Sequence, residues 1–498
     1  MFYNKKTFKS FAKIFGSSKI EKIFNSINKV ELDFKFNLLK TNSLSNGQIV
    51  NCFNQEIGKI LLHRRFLSFF IFISIFFKLK FYILPLPNIY LNKFNANGIK
   101  INRFLSSILF RIFSLLYLFK YFIKNFKTIF KSLKKINNNE SIFLHDDLTD
   151  NIISPQYRRN LSSWIFLKFK CKKIYTLSKY INFENKQITH IKNNLCQISY
   201  LNLIYLILLN FYLFFYFLLL QFSRIHFHTY FYEQLILYLA FKVIDKKSFY
   251  NKYIFTTSSM NTKPLWAHYL ENNKLSEIIF INYSCSYQYN DRINIQYGLP
   301  RQDWKVRYEL DNSYITFLRG LLSVNPSFIH DKTIKFSDSN EKIPFKNYIL
   351  IFDHLVWDYS SLAKNLVVND DFLDINAAKF IRDLISISKK LNLQLILKTK
   401  KRIPANEKYH KFLLRMQIKY KNFFNIIYDR SIYELSKNSR LCITYPFTSS
   451  AVMAANFSNN SIFYDFRSKY SDKKHNMNYG LKTIFGKKNL ISFLKNSL

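Results

Sequence analysis

The chain has 498 residues, with 74 Lys and Arg against 31 Asp and Glu and a formal net charge of +43. That length allows two or three domains with large cores, and the charge attracts anionic lipids, nucleic acid or phosphorylated substrates, even where an AT-rich genome supplies part of the lysine. Its five cysteines are widely spaced without a Cys-x-x-Cys pair, which argues against a disulfide framework or zinc site and points to a reducing compartment.

In chain order, "MFYNKKTFKSFAKIFGSSKIEKIF" alternates charged and apolar residues, so no secretory leader is expected there. Residues 1–140 hold 24 Lys and Arg against 5 Asp and Glu. "KLKFYILPLP" (78–87) and "IKIN" read as strands around a helix, "NIYLNKFNANG", ended by Gly98. From Arg103 to Lys135, lysines at 120, 124, 127, 131 and 134 share one helical face beside Phe and Leu. Such a face suits an anionic membrane surface; a solvated face on a core helix is the competing reading. Ser199–Phe222 is uncharged and long enough to span a bilayer. One crossing there would put the two halves of the chain on opposite sides of the membrane, at odds with a single catalytic cleft. The expectation is therefore a cytoplasmic protein, peripheral at the inner face of the plasma membrane, with a spanning helix at 199–222 as the alternative.

Further strands are expected in "ESIFLHDDL" (140–148), "KKIYTLS" (172–178), "KYIFTTSSM" (252–260) and "SEIIFINYSCSY" (276–287). "SDSNEKIP" (337–344) is a polar linker. Beyond it, apolar strand runs alternate with helical spacing: "YILIFDHLVW", "DINAAKFIRDLISISKKL", "LQLILKTKKR", "NEKYHKFLLRMQIKY", "NIIYDR", "SIYELSKNS", "RLCITYPF", "TSSAVMAANFS" and "SIFYD". The predicted class is α/β, with two Rossmann-like doubly wound domains facing across a cleft. Expected boundaries are a basic N-terminal region (1–65), an N-terminal acceptor-side domain (66–336) and a C-terminal nucleotide-sugar-side domain (337–498).

Ligands of open α/β sheets bind beyond the carboxyl ends of the strands. That rule selects Asp353, Lys398, Lys400, Arg402, Pro446, Thr448, Ser449, Ser450 and Asp465 as nucleotide- or phosphate-binding candidates. Three hydroxyls at a helix start can hydrogen-bond a phosphate, although one of them would serve as an ordinary N-cap. Arg402 can grip a phosphate bidentately and the lysines act as point charges, although such runs are commonly solvated surface. In the N-terminal half, His145, Asp146 and Asp147 end a predicted strand and are the candidate catalytic base, with helix capping as the competing role for each. No GxGxxG, Walker A, Gly-x-Ser-x-Gly or HExxH motif is present, and "HFH" (226–228) lacks convergent partners for a metal.

"FIHDKTIKFSDSNEKIPFKNYILIFD", "LILKTKKR" and "CITYPFTSSAVMAANFSNNSIFYD" together resemble a bacterial surface carbohydrate (polysaccharide) biosynthesis family. Its pattern runs through Phe-x-Asp-Ser, Leu-Lys-x-Lys-Arg and Ser-x-Pro-Phe-Thr-Ser. Asp338, Ser339, Asp353, Lys398, Lys400 to Arg402, Pro446 to Ser449 and Asp465 match it. Lys332-Thr333-Ile334 departs from the family's Gly-Pro-Ile, and Phe466 stands where it has proline, which bears on the donor-sugar contacts. The resemblance implies a metal-independent GT-B-type glycosyltransferase of surface polysaccharide or lipopolysaccharide biosynthesis. It would need no cofactor, a nucleotide sugar being its donor substrate, and would act on a lipid-linked or glycan acceptor. Alternatives are a CDP-polyol phosphotransferase of cell-surface polymers and a non-catalytic membrane scaffold or RNA-binding protein. Nucleic acid is the less expected partner, since no RNP, KH or OB signature is present.

Overall fold

The computed structural model describes residues 44–61, 64–130, 141–146, 164–176, 188–191, 198–223, 225–256, 263–282, 304–309, 327–330, 348–353, 356–359, 373–399, 406–428, 432–445, 449–455, 460–468 and 481–497, with scattered positions before 28. They build two parallel sheets, each accompanied by helices.

The first sheet comprises β1 (Ser141–Asp146), β2 (Lys173–Thr176), β3 (Ile188–His190), β4 (Lys252–Thr256), β5 (Glu277–Asn282), β6 (Val306–Glu309) and β7 (Ser327–His330). Its order is β3-β2-β1-β4-β5-β6-β7. Side chains alternate between the faces, and most of the strands' aromatic side chains fall on one of them, Tyr308 being on the other. Ile142, Leu144, Ile174, Ile254, Ile279 and Ile281 form one cluster, whereas Phe143, Tyr175, Tyr253, Phe255 and Phe280 join a second. The aromatic face shares its core with seven helices: α1 (Asn46–Leu61), α2 (Arg64–Phe76), α3 (Asn88–Ala96), α4 (Arg103–Phe130), α5 (Tyr200–Leu220), α6 (Tyr232–Val243) and α7 (Leu265–Asn272). Trp266 of α7 stacks on Phe241 of α6 at 4.4 Å between ring centroids, with their planes 8° apart.

The strands expected at 78–87 and in "IKIN" do not form; Tyr82 and Ile101 make a single isolated bridge. Pro85 and Pro87 have no N–H to give a ladder, which is why the apolar run fails to pair. The helix between them does form and stops before Gly98, whose φ of +74° suits glycine at a helix end.

The second sheet comprises β8 (Tyr348–Phe352), β9 (Gln394–Lys398), β10 (Phe424–Ile427), β11 (Ser439–Thr444), β12 (Ser461–Asp465) and β13 (Lys482–Phe485), in the order β10-β9-β8-β11-β12-β13. All its pairs are parallel. Five helices alternate with these strands: α8 (Asp374–Leu391), α9 (Glu407–Lys419), α10 (Ile432–Asn438), α11 (Ser449–Ala455) and α12 (Gly486–Ser497). Ile349, Ile351, Leu395, Leu397 and Ile443 pack with buried residues of α8, α9 and α12. Leu350, Phe352, Ile396 and Cys442 pack with Leu435 of α10 and Ala454 of α11. With both faces covered, every residue of β8 and β12 is buried, and such strands read as unbroken apolar runs. The chain is thus α/β with two doubly wound, Rossmann-like sheets.

Candidate functional site

In sequence terms the strand order runs 3-2-1-4-5-6-7 in the first sheet and 3-2-1-4-5-6 in the second, so each has a switch point where successive connections leave in opposite directions. In the second sheet it lies between β8 and β11. The register there aligns Lys398 with Phe352 and Phe352 with Thr444, which brings the ends of β9, β8 and β11 level at one edge. Asp353 follows β8 directly on one side of the crevice. Ser449 and Ser450 open α11 on the other side, past the end of β11.

Asp353 is nearly buried and accepts a hydrogen bond of 3.1 Å from the Tyr409 hydroxyl, while its own N–H donates to the Lys398 carbonyl at 3.0 Å. Burial, and then the Asp353 carboxylate, push the Tyr409 hydroxyl well above its usual pKa, so it acts as a permanent donor. Asn406 caps the same helix by accepting from the Tyr409 N–H at 3.0 Å and ties it to Asp374 at 3.2 Å. The α9 start thereby fixes the carboxylate at the switch.

Lys398 ends β9, and its ammonium donates to the carbonyls of Tyr428 at 2.6 Å and of Thr399 at 3.0 Å. Tyr428 follows β10, the neighbour of β9 on the side away from β8. These two bonds direct the charge toward the sheet's outer edge, one strand removed from the crevice. Asp465 ends β12 fully buried and accepts from the Arg467 N–H at 3.1 Å, the reach of an Asx turn two residues on. Lys400, Lys401, Arg402, Pro446 and Thr448 lie outside the described residues, as do His354, Asp429, Arg430, Asp338 and Ser339. A helix of seven residues has a short macrodipole, so the case for this end of the sheet rests on the switch geometry.

In the first sheet His145 and Asp146 are the last residues of β1 and pair with Phe255 and Thr256 of β4, the two strands flanking that sheet's switch. Asp147 lies outside the described residues, as do Asp150, Asp291 and Asp303. Among the described residues no group of three or more His, Cys, Asp or Glu side chains could hold a metal.

The sequence profile of the polysaccharide biosynthesis PFTS motif family matches residues 211–494, more than half of the chain. Pro446-Phe447-Thr448-Ser449, which lies in sequence between β11 and the start of α11, spells that motif. The chain belongs to this family. No curated protein sequence matches. Among solved structures, the wall teichoic acid polymerase TagF (H548A) is similar over 78% of this chain and 88% of its own, at 14% identity and a TM-score of 0.41. The UDP-GlcNAc 2-epimerase of Methanocaldococcus jannaschii is similar over 72% of this chain and 92% of its own, at 11% identity and a TM-score of 0.37. E. coli heptosyltransferase WaaC with ADP is similar over 72% of this chain and 100% of its own, at 8% identity and a TM-score of 0.30.

Two residues before the PFTS motif in sequence stands a residue that sequence reasoning passed over. Thr444, the last residue of β11, is fully buried, and its Oγ1 has no partner among the described residues. Thr399, after β9, and Thr256, at the end of β4, share this condition. An unpaired buried hydroxyl costs about 1–3 kcal/mol, so three of them at strand carboxyl ends call for an explanation. Threonine at a strand end is an ordinary β-former, and nothing in the sequence separates these three from the rest.

Proposed function

We propose that this member of the PFTS motif family is a glycosyltransferase of surface polysaccharide biosynthesis whose nucleotide-sugar donor binds at the switch point of the second sheet. The observation that carries this reading is where the motif's described residue stands: Ser449 opens α11 past the end of β11, on one side of the switch, with Asp353 after β8 on the other. A carboxylate repels phosphate but accepts hydrogen bonds from hydroxyls, so Asp353, steadied by Tyr409, suits a ribose or sugar hydroxyl of the donor. The Thr448, Ser449 and Ser450 hydroxyls suit the diphosphate, with Lys400 and Arg402 supplying countercharge. The buried Thr444 hydroxyl, without a partner among the described residues, would gain one if the ligand reaches it.

In the reaction, an acceptor hydroxyl attacks the anomeric carbon, the bond from that carbon to the phosphate oxygen breaks, and the nucleoside diphosphate leaves with the electron pair. Hydroxyls and cations around the diphosphate stabilise that charge as it develops. Asp146, at the switch of the first sheet, is the candidate base that takes the acceptor's proton, with His145 and Asp147 beside it in sequence. The acceptor is a lipid-linked or glycan hydroxyl.

Isothermal titration with UDP, GDP, CDP and CMP compounds tests the donor site. One nucleotide diphosphate should bind, and the Thr448→Ala/Ser449→Ala double variant should bind it at least about tenfold more weakly, two lost hydrogen bonds being worth about 1.4 kcal/mol or more. Equal binding by the variant, or none by the wild type, refutes the assignment. A preference for CMP or a CDP-polyol would move the reading to polyol-phosphate transfer at the same crevice.

A further inference from the structure

Helix α4 turns polar residues inward and apolar ones outward, and α5 is apolar on its outward face as well as on its inward one, where Asn210 is the one buried polar residue. The inward positions of α4 are Ser106, Phe110, Ser114, Leu118, Asn125 and Ile129, half of them polar. Ser106 Oγ accepts from the Leu84 N–H at 3.1 Å, and the Tyr117 hydroxyl donates to the Tyr230 carbonyl at 3.2 Å. On α5, Asn202 donates to the Val243 carbonyl at 2.8 Å, and buried Asn210 accepts from the Tyr232 hydroxyl. The outward positions are the apolar ones: Leu116 is 60% exposed, Leu201 81%, Leu208 63% and Leu219 70%. Only 22% and 33% of the most apolar windows of these two helices are buried. A helix on a water-facing surface has the opposite arrangement.

The two helices make one slab. Phe119 packs on Phe214 at 5.2 Å and Phe126 on Phe211 at 5.2 Å between centroids, and the reversed numbering shows an antiparallel pair. At about 100° per residue, Lys120, Lys124 and Lys127 fall within about 60° of one another, on the border between the outward apolar stripe and the inward face. All three are exposed. Cations at that border reach the headgroups of a leaflet whose acyl region receives the apolar stripe.

Sheet topology decides between spanning and lying flat. β3 precedes α5 and β4 follows it, yet both belong to one continuous sheet in which β1 pairs with β2 and β4. A single crossing by α5 would place strands of one hydrogen-bonded sheet on opposite sides of a bilayer. A second copy of the chain is the other candidate cover, but each copy has a net charge of +43, which opposes association and favours an anionic surface. We propose that α4 and α5 form a monotopic seat: the pair lies in the plane of one leaflet of an anionic bilayer, apolar side embedded, lysines at headgroup level and both sheets on the same side.

The test uses the full chain without nucleotide, so its outcome is independent of the donor assignment. Flotation compares phosphatidylcholine vesicles with vesicles containing phosphatidylglycerol, and the anionic set should bind at least about tenfold more tightly at low salt. Leu116→Gln/Leu208→Gln/Leu219→Gln alters exposed positions only; with an unchanged circular dichroism spectrum it should weaken binding at least about tenfold. Spin labels at Leu201→Cys, Leu208→Cys and Leu219→Cys, in a background lacking the native cysteines, should report similar shallow depths by power saturation. A deep Leu208 between two shallow ends would mean a spanning helix and overturn the proposal. So would wild-type flotation by the glutamine variant, or a lipid-free dimer that does not float and that the same substitutions dissociate.

Discussion

Thr444 illustrates how a single hydroxyl separates a binding role from a packing role. Replacing it with valine removes a buried hydroxyl that has no partner among the described residues while keeping its shape, so the thermal midpoint should hold or rise. Nucleotide affinity should fall about fivefold if the hydroxyl serves the ligand, and calorimetry together with titration reads both. Tyr409→Phe has the opposite signature, because it strips the donor from a nearly buried carboxylate; it should lower stability by about 1–3 kcal/mol in denaturant titration. His268 of α7 offers a pH test. Burial, and then the charges of Lys263 and Lys305, hold its imidazole well below the usual range, so the folded chain keeps it neutral while the unfolded chain protonates it near pH 6.5. Its contribution is fully present above the unfolded value and falls as pH drops below it, levelling once the folded value is passed. Between pH 7.5 and 5 the urea midpoint should decline in the wild type and decline less in His268→Gln.

Among elements, the C-terminal strands and helices follow the sequence closely, and α8 falls on the run marked for it, residue for residue. The reason is physical: strands covered on both faces are apolar throughout, and the helices beside them have a single apolar stripe. Short strands carry less of that signature: β3 has three residues and β6, β7 and β13 four each, and none was anticipated, whereas the four-residue β2 and β10 fall in apolar runs that were. The site divides in the same way. The strand-end rule placed Asp353, Ser449 and Asp465 at one edge, whereas alternation along β9 gives the face of Lys398 but not its sideways reach toward β10. The periodic lysines of α4 were legible; that its serines point inward was not, because that depends on partners distant in sequence, Leu84 for Ser106 and Tyr230 for Ser114. One substitution tests helix termination: Asn392 caps α8 with φ at +51°, so Asn392→Gly should raise stability by up to about 1 kcal/mol and Asn392→Val should lower it.

For the molecule as a whole, the two sheets have separate cores, and among the described residues only Leu373, with partly buried Trp357 and Tyr359, joins the C-terminal chain to the N-terminal core. Residues 345–498 expressed alone should therefore unfold cooperatively and stay monomeric without lipid, as circular dichroism and light scattering would show. The buried asparagine of α5 has a consequence for the order of assembly. Asn210 meets its partner Tyr232 only when α6 exists, and β1 meets β4 only once residue 256 has been made. During synthesis, then, neither long apolar helix has its polar side closed until well after it has emerged. Such a chain is poorly suited to handing these helices one by one to an insertion machine. On the monotopic seat proposed above, it would complete its sheet first and settle on the bilayer afterwards, as a finished surface.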